Sequence, residues 1–110
     1  MAVSTEDIAK IFAGMPAEFK PEKAQDIDAV VQFDLSGDAG GMYWVRIAGG
    51  VCETGVGVVD NPAMTLRAAA EDYAAVYRGE ANPMQAFMLG KLKIQGDMSL
   101  ALKLQSLLTS

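Results

Sequence analysis

Histidine is absent from this chain of 110 residues. Without an imidazole there is no serine–histidine–aspartate triad, no histidine proton shuttle and no usual zinc or non-haem iron site. One cysteine, Cys52, permits neither an internal disulfide nor a thiolate cluster. Between Val51 and Glu53 it reads as a small structural residue. Cations are scarce: nine Lys and Arg against fourteen Asp and Glu leave a net charge of -5. Such a chain is repelled by phosphate backbones and anionic lipid surfaces, so neither a nucleic-acid partner nor stable membrane insertion is expected. No apolar run approaches the length of a membrane span. The first dozen residues lack the basic-then-apolar order of a secretory signal, and the closing Leu108-Thr109-Ser110 is not a peroxisomal address. A cytoplasmic location is the resulting expectation. Linkers, repeats and low-complexity tracts are missing too, which predicts a single domain over 1–110.

Periodicity supplies the elements. Ser4, with Glu6 and Asp7 behind it, opens a helix whose Ile8, Ile11, Phe12 and Met15 share one face, and Gly14 and Pro16 are expected to close it. Pro21 would begin a short further helical turn. From Asp28 the period becomes two. Val31, Phe33 and Leu35 form one strand, and Tyr43, Val45 and Ile47 a second. Val51 to Val59 make a third, with Gly-rich turns between them. Gly55 and Gly57 mark that third strand as an edge or a bulge. After a turn at Asp60-Asn61-Pro62, Met64, Leu66 and Ala68 form a fourth. A helix with Tyr73, Val76 and Tyr77 inward stops at Gly79. Asn82-Pro83 caps the next, which ends at Gly90. Lys91 to Gln95 give the fifth strand, and Asp97 caps a last helix reaching about Leu108. This order predicts an α+β fold: a five-stranded, mainly antiparallel sheet, one crossover, helices over one face.

The last third carries more apolar side chains than one sheet-facing stripe requires. In the final helix Ser99, Lys103, Ser106 and Ser110 share a narrow arc, while Leu100, Ala101, Leu104, Leu107 and Leu108 fill the opposite one. Seven Met residues add adaptable, polarizable surface, and Met84, Met88 and Met98 cluster around the last helices. Such surplus surface meets other helices, a second copy of the chain, or a small apolar guest. Trp44 falls on the strand face opposite Tyr43, Val45 and Ile47 and is expected to help cover that face, with Arg46 beside it reaching solvent or a carboxylate.

Little here suggests catalysis. Gly55-Val56-Gly57 is no dinucleotide loop, because a turn and not a helix follows it. Asp34, Glu53, Asp60 and Asp72 are the candidate acid–base groups, yet they fall on separate elements without evident pairing. The expectation is a non-enzyme with no metal site and no cofactor.

The stretch from Gly79 to Leu104 resembles the C-terminal signature of the sterol carrier protein 2 (SCP2-type) family. A helix ends in Gly79, an Asn82-Pro83 turn follows, and Ala86, Phe87, Gly90, Lys91, Leu92, Ile94, Gly96 and Asp97 precede a Leu-rich helix. The resemblance implies a hydrophobic tunnel between sheet and helices that binds a fatty acid, fatty acyl-CoA or sterol-like lipid without chemistry. A quinone or isoprenoid ligand, or a ligand-free homodimer, are the competing expectations. Under this reading Met84, Phe87 and Met88 form one wall of the pocket and Ala101, Leu104 and Leu108 another, with Phe12, Phe33 and Trp44 near its ends. Lys10, Lys20, Lys23 and Arg46 are the candidate partners for a head group.

Overall fold

The computed structural model describes residues 4–18 and 27–100. Its elements run α1 (Thr5–Glu18), β1 (Ala29–Ser36), β2 (Gly41–Ala48), β3 (Val51–Val56), β4 (Met64–Ala69), α2 (Ala70–Tyr77), α3 (Pro83–Met88) and β5 (Leu92–Gly96). The five strands make one sheet in the order β3-β2-β1-β4-β5. β1 pairs antiparallel with β2 and parallel with β4, and the β2–β3 and β4–β5 ladders are antiparallel. The sheet is therefore mixed but mostly antiparallel, with β3 and β5 at its edges. A second helix opens on the β5 side at 98–100, where the Leu100 N–H donates to the Asp97 carboxylate at 3.1 Å. The predicted remainder of that helix, and the turn at Pro21, lie outside the described residues.

Each helix starts and stops for a local reason. At α1 the Asp7 N–H donates to Ser4 Oγ (3.1 Å) while the Ser4 N–H donates to the Asp7 carboxylate (3.2 Å), a reciprocal capping box. These bonds to the charged form hold the Asp7 carboxyl below its ordinary pKa. α2 and α3 both end in Schellman motifs. The Glu80 N–H donates to Ala75 and Gly79 to Val76; the Lys91 N–H donates to Ala86 and Gly90 to Phe87. Gly79 and Gly90 supply the required left-handed residues at φ 79° and 78°.

α1 does not stop at Gly14 and Pro16 as the sequence suggested, but continues to Glu18. Proline at position 16 deprives the Phe12 carbonyl of its usual donor four residues on. The Thr54 hydroxyl on β3 replaces that donor at 2.8 Å. A defect in the helix thus becomes a bond to the sheet. β3 is likewise shorter than expected, ending at Val56 rather than Val59. It is an edge strand, as its glycines suggested. Gly55 stands directly across from Trp44, and a methyl at Gly55 would overlap the indole ring. Trp44 is half-buried there, so it does help cover the face away from the helices.

That far face also carries the β3–β4 connection, which crosses β1. Gln32, 3% exposed, fastens it. Its amide nitrogen donates to the carbonyls of Tyr43 (2.8 Å) and Gly57 (2.9 Å), and its oxygen accepts from the Val59 N–H (2.8 Å). A buried amide satisfied three times is tolerable, whereas its backbone partners alone are not. Gln32→Leu should therefore lower stability by about 2–3 kcal/mol, read as a shift in the urea midpoint. An unchanged midpoint would show that the amide does not hold the connection.

Candidate functional site

Alternation assigns Val31, Phe33, Leu35, Tyr43, Val45 and Ile47 to the helix-covered face, and all six are buried. Ile8, Ile11, Phe12 and Met15 of α1 and Tyr73, Ala74 and Val76 of α2 cover them. Four rings from four elements lock this end. Phe12 stacks on Tyr43 (centroids 4.4 Å apart, planes 2°) and on Tyr73 (5.7 Å, 12°), and meets Phe33 edge-on at 5.1 Å. Phe33 and Tyr73 make a further edge contact at 5.3 Å. Such pairs add specific geometry to a large apolar burial.

The β4–β5 end is filled differently. Leu66 and Ile94 are register partners at the middle of their ladder and face the helices, yet both are only partly buried. Tyr77 and Ala81 pack beside the core at the same half-covered level. α3 lies over β5, and of its described side chains only Ala86 is buried. Met84 is 53% exposed, Phe87 39% and Met88 82%. Leu66 and Ile94 on the sheet and Met84, Phe87 and Met88 on α3 thus leave apolar surface incompletely covered at this end.

The structure does not bring all nine sequence-predicted site residues together. Met84, Phe87 and Met88 share α3 as expected. Phe33 is the register partner of Leu66 and marks the boundary between the locked end and the open one. Phe12 sits behind it, inside the aromatic cluster. Trp44 points to the opposite face of the sheet, because strand alternation separates it from Tyr43 and Val45, and so cannot close a pocket on the helix side. Ala101, Leu104 and Leu108 lie outside the described residues, as do Lys20 and Lys23. Met64 of β4 is a core residue at 2% exposure. Sequence reasoning missed Leu66, Ile94 and Tyr77 as lining groups. Their strand and helix positions were readable, but incomplete cover is not a property of a local pattern.

Polar chemistry lies elsewhere. Asp34 pairs with Arg67 at 3.5 Å on the far sheet face, Glu53 and Asp60 are exposed, and Lys10 pairs with Glu6 at 3.7 Å on α1. Arg46 projects from the far face. Among the described residues, no cluster of His, Cys, Asp and Glu could hold a metal ion. Cys52 is buried and free, and desolvation raises its thiol pKa, which makes it a packing residue. No described helix is long and apolar enough to cross a membrane.

The structure thus combines a mixed five-stranded sheet, an incompletely covered apolar end and, among the described residues, no cluster able to hold a metal ion. The sequence pattern of the SCP-2 sterol transfer family matches residues 8–109. The chain belongs to that family. Within this sterol carrier family it is 37% identical over 89 residues to hydroxysteroid dehydrogenase-like protein 2 of Rattus norvegicus, a match covering 80% of this chain and 17% of the rat protein. The chain therefore spans under a fifth of that relative. The palmitated SCP2L2 protein of Aedes aegypti superposes with a TM-score of 0.74 at 26% identity, over 96% of this chain and 93% of that one. Apo sterol carrier protein 2 of Yarrowia lipolytica gives 0.73 at 20% identity, over 94% and 88%. The last likeness is one of fold.

Burial raises the Tyr73 phenol well above its ordinary pKa of 10.0, with the neighbouring Tyr77 adding to the effect. The folded protein keeps this hydroxyl neutral while the unfolded chain ionises it near pH 10. Stability is thus intact below pH 10 and falls as pH rises beyond it. Tyr73→Phe should flatten the loss of stability between about pH 9 and pH 11, measured by urea denaturation. An identical alkaline slope in the variant would remove Tyr73 as its source.

Proposed function

We propose that this sterol carrier domain binds a single-chain lipid, a fatty acid or fatty acyl-CoA, against its half-covered β4–β5 end, and carries it without chemical change. The observation behind the reading is that Leu66 and Ile94, on the helix-side face of the sheet, are only partly buried, at the end where Met84, Phe87 and Met88 of α3 are exposed. Phe33 forms the inner boundary. The palmitated state of the Aedes relative supports an acyl ligand. A sterol or a polyprenyl quinone would meet the same apolar lining, so selection among chain types is weak. Methionine walls widen it further.

Magnitudes agree with a carrier. Burying about twelve methylenes gives roughly 10 kcal/mol gross at about 0.8 each. Ordering the chain and losing translational freedom remove much of this. The net affinity falls between about micromolar and tens of nanomolar, tight enough to load and loose enough to deliver.

Phe87→Asp tests the assignment, because Phe87 is already part-exposed and its loss leaves the core intact. Displacement of a fluorescent fatty acid should weaken at least about tenfold, a change of about 1.4 kcal/mol, with an unaltered circular dichroism spectrum. Equal affinity in the two proteins would remove α3 from the binding wall.

A further inference from the structure

The methionines of this chain fall into two populations. Met15 and Met64 belong to the core and are at most 2% exposed, whereas Met84, Met88 and Met98 are 53%, 82% and 47% exposed. The open three lie on α3 or just after β5, at the incompletely covered apolar end. Met84 and Met88 are four residues apart and so share one side of α3. Met42, half-buried, projects from the sheet face opposite the helices. A thioether needs no deprotonation to react with an oxidant, so exposure decides which sulfur is oxidised. The one thiol does not compete. Cys52 is buried, and desolvation keeps it in the protonated, unreactive form. Oxidisable sulfur is thus concentrated beside the apolar strip that the carrier reading uses.

We propose that Met84, Met88 and Met98 form an oxidation site, at which a hydroperoxide converts the thioethers to sulfoxides and so releases the bound lipid. The sulfur lone pair attacks the distal peroxide oxygen, and the O–O bond breaks as the S–O bond forms. The thioether gives up two electrons. The hydroperoxide takes them and leaves as its alcohol, or as water from hydrogen peroxide, once the proton has passed to the departing oxygen. Each sulfoxide places a strong acceptor where an acyl chain offers no donor, and an unmatched polar group against apolar surface weakens the contact. The change stays local, because Met15 and Met64 are shielded by the fold that oxidation of the open sulfurs leaves standing. It is also reversible, since enzymes exist that reduce methionine sulfoxide. The proposal rests on the lipid-carrier reading and deepens it by giving the same wall a means of release.

The test treats wild type and the triple variant Met84→Leu/Met88→Leu/Met98→Leu with hydrogen peroxide. Peptide mass spectrometry locates the added oxygen, and a fluorescent fatty acid is titrated into each protein before and after treatment. In wild type the oxygen should appear at Met84, Met88 and Met98, with Met15, Met64 and Cys52 unmodified and the circular dichroism spectrum unchanged. Fatty-acid affinity should then fall about tenfold or more, and methionine sulfoxide reductase with a thiol reductant should restore it. The triple variant, whatever its own starting affinity, should keep that affinity through the same treatment. Oxidation of Met15 or Met64 as fast as of the open three overturns the proposal. So does an equal loss of binding in the triple variant, which would put the sensitive sulfur elsewhere. Wild-type binding that persists after the three sulfurs are oxidised removes the release alone. Failure of the untreated protein to bind the fatty acid removes the lipid cargo and the release with it.

Discussion

The contact between Phe12 and Tyr43, ring on ring at 4.4 Å, sets the layout of the molecule. It brings α1 down onto β2, and the accompanying contacts to Phe33 and Tyr73 bind β1 and α2 into the same cluster. Beside these rings Val31, Val45 and Ile47 have almost no exposure. Among the described helices α1 packs mainly against β3, and α3 against β5. The β4–β5 end is less completely covered, at Leu66 and Ile94. Thr54 ties α1 to β3 by meeting the Phe12 carbonyl that Pro16 leaves without a donor.

Much of this was legible in the sequence, because local chemistry dictates it. Alternation of Val31, Phe33 and Leu35, and of Tyr43, Val45 and Ile47, named the inward face correctly. Asn82-Pro83 and Gly90 bracketed α3 to the residue, since a cap and a left-handed stop each demand a particular side chain. The errors have a common origin. Pro16 was read as a terminator because the hydroxyl that replaces its missing bond comes from a strand 38 residues later. Trp44 draws attention as an aromatic residue, although strand alternation puts it on the face away from Tyr43, Val45 and Ile47. Leu66 and Ile94 passed as ordinary strand residues, because partial cover depends on where distant helices settle.

The functional reading joins these pieces. Membership of the sterol transfer family fixes the architecture, and within it the helix-side face is unevenly filled. The sequence has no histidine, and among the described residues no carboxylate cluster could hold a metal ion.

The most direct measurement is solution NMR of the isotopically labelled protein with palmitate, reading nuclear Overhauser contacts from the acyl chain to protein methyl groups. Contacts should fall on Leu66, Ile94 and the α3 methionines, with Val31 and Val45 silent because the aromatic cluster shields them. Acyl contacts confined to other surfaces, or a ligand that leaves Leu66 and Ile94 untouched, would contradict the account.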